Sequence, residues 1–481
     1  MSEQDDLDLM RRVGAYLERV NQLHLLELTA TRTPLGDEIS SHLGADASVL
    51  PAVQEVVADH RLVDVDLALA ELSRRGGGRL VGVTGGDQRL HSGMAELISS
   101  PHARFAPGPV DYLERATGPT GSRRVVSMGV HLFTHRDLPV AVVQRAAARQ
   151  YGREAAGLEV MGTDPEVVSD LIDAIRRLMV ELSVLRGKVL SFVPTEYGHD
   201  AGATFLERPE VAESDVILPN GLLDDVVRHA LGISGHRREL EAAGQHLKRG
   251  ILLYGPPGTG KTLTIRHLLS RSDGVTAVLL TGSSIRFIAA AAEIARTFQP
   301  SIVVLEDVDL VAMERHSTPQ PLLFEVLDAL DGLGGDADVA FVMTTNRVDV
   351  LERALAERPG RVDLAVEIPL PGLGERRRLL RRYAAQLAFS ESALDDAADR
   401  TAGTTGSFAK ELIRRSVLEA AMREATPGDE DLAAALEALM ADREHLTRRM
   451  LGAAAEAPAV DASGGDPLSG EEGGFAWRAH P

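Results

Sequence analysis

The sequence predicts an α/β protein: a mainly parallel sheet covered by helices, a helical subdomain after it, and a mixed α+β domain in front. Three observations carry this. Between Val216 and Pro371 short apolar runs (ILLYG, AVLLTG, IVVLED, VAFVMTTN, LAVEIPL) alternate with helical or turn-rich stretches, the pattern of a parallel sheet buried on both faces. Beyond Glu375 the segments ERRRLLRRYAAQL, FAKELIRRSVLEAAMRE and EDLAAALEALMADREHLTRRM keep a helical period, broken at Gly403–Gly406 and Pro427–Gly428. Only 4% of the residues are aromatic, so the cores must rest on aliphatic packing.

In chain order, Leu7, Met10, Val13, Leu17 and Val20 follow one helical face behind Asp5 and Asp6, predicting an opening helix. From Pro51 to Ser127 the pattern is mixed, with a strand and turn at RLVGVTGG. GLEVMGTDPEVVSDLIDAIRRLMVELSVLRGKVLSFVP reads as a compact strand-helix-strand unit: a strand at Leu158–Met161, a helix opened by Asp164 and Pro165, and a strand at Lys188–Val193. The polar, Gly-containing Pro194–Phe205 reads as a linker or boundary. The resulting division is 1–200, 206–373, 374–452 and a Gly- and acid-rich tail 453–481, whose composition predicts disorder. In that tail Phe475 and Trp477 stand out, either as a short docking motif or by chance.

With 71 acidic against 51 basic residues in 481, the formal charge is -20. That argues against nucleic acid or anionic lipid as partner. Without cysteine, disulfides, thiolate metal sites and cysteine nucleophiles are excluded. No stretch reaches the roughly 18 uninterrupted apolar residues a membrane helix needs, and the N-terminus lacks a leader pattern, so a cytoplasmic protein is expected. His91, His102, His131 and His135 have no metal-ligand spacing and read as surface or satisfied core histidines.

The motif that carries chemistry is GPPGTGKT, Gly255–Thr262, between a strand and a helix. Glycines let the loop curl so that backbone N–H groups face phosphate oxygens, and the following helix N-terminus adds positive potential. Pro257, Gly258, Thr259, Gly260, Lys261, Thr262 and Leu263 are the expected contacts. Lys261 can reach β and γ phosphates, and the Thr262 hydroxyl is placed to ligate Mg²⁺. SIVVLEDVDL then ends an apolar strand in Glu306, Asp307 and Asp309, where one acid should hold the Mg²⁺ shell and the next orient the attacking water. VAFVMTTNR ends the next strand in Asn346, whose amide suits the γ-phosphate or the lytic water.

In this order, GPPGTGKT, VVLEDVD, TTNR and ERPGRVDLAVEIPLP resemble the AAA family of P-loop ATPases. The resemblance, over about Val216 to Arg449, implies a P-loop NTPase sheet with a C-terminal helical lid, and ATP hydrolysis with Mg²⁺. It further implies a hexameric homo-oligomeric ring that remodels, unfolds or disassembles a protein client, chosen through the N-terminal domain or an adaptor. Glu306 then sits in the metal shell with Thr262. Arg358 and Arg361 reach the neighbouring subunit's nucleotide. Gly232 and Ile233 line the adenine pocket, and Gly406 and Ser407 lie near the sugar or phosphate.

Four departures qualify the resemblance. The acids Glu306-Asp307 are reversed from the usual order, as in a branch of mitochondrial AAA proteins that assemble respiratory complexes. The segment TGSSIRFIAAAAEIARTFQ lacks the pore triplet of aromatic, apolar and Gly, and Phe287 there reads as helix packing rather than a pore aromatic. No Arg occupies the lid position that senses the γ-phosphate in some relatives, where Lys410 is the candidate. No HExxH follows, which rejects the branch with a built-in zinc protease. The first two departures keep a second reading open, a nucleotide-gated assembly factor driven by ATP binding rather than turnover.

Overall fold

A computed structural model describes residues 13–16, 19, 32–148, 153, 155–194, 201–309, 328–329, 332, 334–348 and 361–441. Of the expected opening helix, only residues 13–16 and 19 fall in this set, and they are helical. Arg358, residues 442–452 and the tail with Phe475 and Trp477 lie outside it. The chain divides into two compact units, Met1–Pro369 and Leu370–Pro481. Among the described residues no helix is long and apolar enough to cross a membrane.

The first unit opens with α1 (Pro34–Leu43), β1 (Ala52–Val57), α2 (Leu62–Arg75), β2 (Arg79–Thr84), α3 (Met94–Ile98), β3 (Ala106–Gly108), β4 (Asp111–Ala116), β5 (Ser122–His135), β6 (Leu138–Arg145), β7 (Ala156–Gly162) and α4 (Pro165–Glu181). The strands form an antiparallel sheet ordered β1-β7-β6-β5-β2-β3, with β4 on β5. Helices α2 and α4 cover one face and α1 and α3 the other, which is why β5 and β6 are buried along most of their length. The N-terminus of α4 follows from its sequence: Asp164 accepts the Glu166 N–H at 2.8 Å, and Pro165 brings a preset φ. His131 is a satisfied core histidine bonded to Gln144 at 3.0 Å, and His135 bonds Asp170 at 2.7 Å.

The chain continues through β8 (Val189–Pro194), β9 (Ala201–Leu206), α5 (Leu222–Gly235), α6 (Arg237–Ala242), β10 (Arg249–Tyr254), α7 (Lys261–Ser270), β11 (Thr276–Thr281), α8 (Ile288–Thr297), β12 (Ser301–Glu306), β13 (Val339–Thr345) and β14 (Leu364–Glu367). These strands form a second sheet ordered β14-β10-β13-β12-β11-β8-β9, parallel except for the terminal β8–β9 hairpin. One face packs on α8 and the other on α5 and α7.

Two sequence readings are corrected here. Pro194–Phe205 is not a linker, because it includes the end of β8 and most of β9, paired from Val189↔Leu206 to Pro194↔Ala201. Nor do β7 and β8 form one strand-helix-strand unit, since they lie in different sheets. The reason is burial: β8 sends Leu190 and Phe192 into the core under α8 and Val189 into the core on the opposite face. A strand apolar on both faces needs a sheet covered on both, and β11 offers its free edge.

The same hairpin ties the N-terminal part to the parallel sheet. The His60 ring stands edge-on to Phe192 at 6.1 Å, and Phe192 stacks on Phe287 at 5.6 Å. Next to His60, the Arg61 guanidinium lies 5.1 Å from the Phe298 ring centre. It also bonds Asp64 at 2.6 Å and the Met179 carbonyl at 3.1 Å. Phe287 and Phe298 flank α8 at its two ends, so Arg61 meets one end of that helix directly and His60 the other through Phe192. Phe287 therefore serves packing, as the sequence suggested.

In the second unit, α9 (Leu373–Tyr383), α10 (Glu391–Arg400), α11 (Gly406–Met422) and α12 (Asp429–Met440) pack as a small helical cluster. Arg376, buried on α9, donates to the Ala398 and Pro371 carbonyls at 2.8 and 3.0 Å and fixes α10 against it.

Burial pushes the His60 pKa down to about 4, against an ordinary 6.5. As pH falls from 6.5 towards 4, the unfolded chain therefore binds a proton that the folded chain refuses, and stability is lost, by at most about 3 kcal/mol. His60→Phe, which keeps the ring contact, is expected to flatten this acid limb. Urea melts of both proteins between pH 7 and 4 check it; parallel profiles contradict it.

Candidate functional site

The phosphate loop follows β10 and leads into α7. Its conformation depends on glycine: Gly255, Gly258 and Gly260 have φ of 142°, 79° and 114°, in the region that disfavours side chains. At Gly255 a Cβ would also lie 2.2 Å from the Ile368 carbonyl oxygen. Pro257, Gly258 and Thr262 are exposed and Leu263 half-buried, whereas Thr259 and Lys261 are buried. Thr259 closes the turn by donating to the Pro256 carbonyl at 2.9 Å. Lys261 Nζ donates to the carbonyls of Gly255 and Pro256 at 2.7 and 2.9 Å. Burial pushes its pKa down to about 8, while the negative charges of Asp307 and Asp309 pull it back up.

The acids stand at the end of β12. Glu306 is its last residue, and its Oε1 is buried without a hydrogen-bond partner. Asp307 takes a left-handed φ of 53°. Its N–H donates to Thr344 Oγ1 at 2.9 Å, and its Oδ1 accepts from Asn346 Nδ2 at 3.1 Å. Asp309, which sequence reasoning placed beside the other acids without a role, is 4% exposed and accepts from Thr345 Oγ1 and the Asn346 N–H. Lys261, Asp307, Asp309 and Asn346 thus meet at one end of the sheet.

The residues fit a magnesium-bound triphosphate. The left-handed glycines and the α7 N-terminus form a cradle that a Cβ would fill, Lys261 supplies a partly desolvated cation, and the buried Glu306 oxygen lacks a partner. Thr262 and Glu306 are the residues that would hold Mg²⁺.

Gly232, Ile233 and Arg361 lie away from the phosphate loop of their own chain. Gly232 and Ile233 lie near the end of α5, roughly 16 Å from its start at the helical rise per residue. There Arg249, at the beginning of β10, donates to the Ala230 carbonyl and to Ser234. That is the end of β10 opposite the phosphate loop, and the cavity of about 570 Å³ that Gly232 and Ile233 line includes no loop residue. They share no lined cavity with the phosphate loop. The helix runs antiparallel to β10, so its start approaches the loop instead: Leu218 Cδ2 is the atom nearest to a Cβ placed on Gly260, at 3.9 Å. A signal for this lay in the Gly221 break before α5.

Arg361 is buried, 7% exposed. Its backbone carbonyl packs against Gly250, where a Cβ would meet it at 1.9 Å, and Asp363 binds the Gly250 N–H at 2.9 Å. Gly250 and Gly255 are roughly 16 Å apart at the strand rise per residue, so Arg361 sits far from its own chain's phosphate loop. Gly406 and Ser407 open α11 behind Thr405, whose hydroxyl accepts the Phe408 N–H at 3.3 Å.

Residues 251–370 match the model of the ATPase family associated with various cellular activities (AAA). The chain is 32% identical over 302 residues to the ATP-dependent zinc metalloprotease FtsH 3 of Sphaerobacter thermophilus, covering 59% of this chain and 58% of that protein. It is 39% identical over 155 residues to the 26S proteasome regulatory subunit 10B homolog A of Arabidopsis thaliana, covering 29% and 39%. To the proteasome-activating nucleotidase of Methanoculleus marisnigri it is 29% identical over 280 residues, covering 53% and 67%. The chain therefore spans from 39% to 67% of the length of these relatives.

Lys261→Ala is expected to weaken Mg-ATP binding at least tenfold, and Gly255→Ala to abolish it through the clash with Ile368. Titration with a fluorescent ATP analogue measures both. Unchanged affinity in Lys261→Ala contradicts the assignment of this loop.

Proposed function

Because residues 251–370 are a P-loop ATPase module of the AAA family, we propose that this chain hydrolyses ATP and uses the turnover to remodel a protein client from a ring of its own copies, with six as the family's usual number. The observation that carries the proposal is the convergence of Lys261, Glu306, Asp307 and Asn346 at one end of the parallel sheet. In this reading Lys261 binds the β and γ phosphates. Asp307, braced by Asn346, orients the attacking water and takes its proton. Thr262 and Glu306 would hold Mg²⁺, which would supply neutralisation of charge on the phosphate oxygens.

Arg361, with Arg358, is assigned to a neighbour's nucleotide. Its place at the end of β10 opposite its own phosphate loop supports a role outside that loop's own site. The similarity to proteasome-activating and proteasome regulatory ATPases supports a protein client. A cytoplasmic location and a client other than nucleic acid belong to the same proposal, motivated by the charge of -20.

A second reading, ATP binding as a conformational gate with incidental turnover, is favoured by one observation. Phe287 stacks on Phe192, so the aromatic of the segment that stands where the family has its pore region is engaged in packing.

Asp307→Asn is expected to lower kcat by about 10²–10⁴-fold, the usual worth of a positioned base, while retaining ATP affinity. A variant that still remodels its client at the wild-type rate favours the gate. Specific activity should rise with protein concentration, since each site needs a neighbour's arginine. Steady-state phosphate release across a hundredfold dilution checks this, and a flat profile contradicts the shared site.

A further inference from the structure

We propose that Asp309 is a positioning residue for ATP turnover, one that aims the Asn346 amide at the reacting centre by holding the backbone on which it is mounted. The proposal rests on the ATPase reading above and adds to it a residue that touches neither nucleotide nor water.

The ladder between β12 and β13 ends at the pair Leu305↔Met343. Beyond it, the residues that carry the chemistry have no mutual backbone bonds to fix their separation, and side chains take over. The Asp307 N–H is held by the Thr344 hydroxyl at 2.9 Å. The Asn346 amide nitrogen donates to Asp307 Oδ1 at 3.1 Å. Asp309 Oδ1 receives both the Thr345 hydroxyl at 2.9 Å and the Asn346 N–H at 3.2 Å.

The direction of this network is determined. Thr345 is fully buried, and its oxygen already accepts the Arg347 N–H at 2.9 Å. Its proton therefore points to Asp309, whose carboxylate has only acceptors to offer. Three consecutive residues, Thr345 to Arg347, are thereby tied to one buried oxygen, directly or through the hydroxyl. Asn346 is held twice, at its backbone by Asp309 and at its side chain by Asp307. Without the backbone hold, the amide can follow Asp307 only through a single bond, and Asp307 itself occupies a left-handed conformation that a non-glycine residue keeps only when its surroundings enforce it. Small displacements of a positioning group cost rate far more than they cost ground-state binding.

The test uses the full chain with Mg-ATP. Asp309→Ala is expected to lower kcat at least tenfold with the ATP KM within about threefold of wild type. Asp309→Asn should restore most of the rate, because its amide oxygen can accept both donors in the same place. Thr345→Val, which removes one donor without changing shape, should fall between and serves if Asp309→Ala does not fold. The decisive readout is the pairing with Asn346: if Asp309 acts through that amide, Asp309→Ala/Asn346→Ala is no slower than Asn346→Ala alone. Multiplicative losses, an Asp309→Asn as slow as Asp309→Ala, or a KM that rises in step with the lost rate would each overturn the proposal. A wild-type chain without Mg-ATP turnover would instead overturn the ATPase reading, and this assignment with it.

Discussion

Strands β10, β13 and β12 are adjacent and parallel, and their register ends them together: Tyr254 stands opposite Thr345, and Leu305 opposite Met343. Everything proposed for the site depends on this shared ending. The phosphate loop leaves the first strand one residue after Tyr254, Asn346 follows the second, and the acids close the third. Parallel strands with both faces buried cannot slip by a residue without turning apolar side chains from one core into the other. The cores on the two sides of the sheet thus enforce the register, and the register sets the distances between groups far apart in sequence.

Beyond the ladder, polar side chains continue what the backbone began. Such a network is costly if left partly satisfied and rigid when complete. In this chain the bonds among Thr344, Thr345, Asn346, Asp307 and Asp309 are made, while one oxygen of Glu306 is left without a partner. That asymmetry separates the acids: Asp309 is committed to geometry, Asp307 is braced by Asn346 at one oxygen, and Glu306 keeps an oxygen for a ligand. At the opposite end of the sheet, Arg249 and Asp338, each 2% exposed, pair at 2.7 Å and tie β10 to the start of β13 and to the end of α5. The two ends are thus pinned by different means.

The β8–β9 hairpin gives the N-terminal part a second relation to the parallel sheet besides chain connectivity. Because Arg61 engages the Phe298 ring at the end of α8, His60 reaches Phe287 at its start through Phe192, and α8 leads directly into the strand that ends in Glu306, displacement of the N-terminal part is resisted by the helix that feeds the acidic strand. A polar stretch between apolar runs, such as Pro194–Phe205, is legible only as loop-like. Its pairing is a tertiary choice, made by the free edge of β11 and by the two-sided burial of β8.

From its amino acids alone, this chain could be seen to hold a polyphosphate loop, an acidic strand end and an amide-bearing strand in order, because those signals are local: glycines where φ must be positive, apolar runs where both faces are buried, a carboxylate or amide where a strand stops. Which end of a helix meets the loop is not local. The distance of Gly232 and Ile233 from the loop is set by packing, which fixes the helix direction relative to β10, and Asp309 gains its role only because a residue 36 positions away folds beside it. Sequence decided which chemical groups exist and on what kind of element. Folding decided which of them share a hydrogen bond, since that requires backbone segments distant along the chain to be held within about 3 Å by cores on both sides of a sheet.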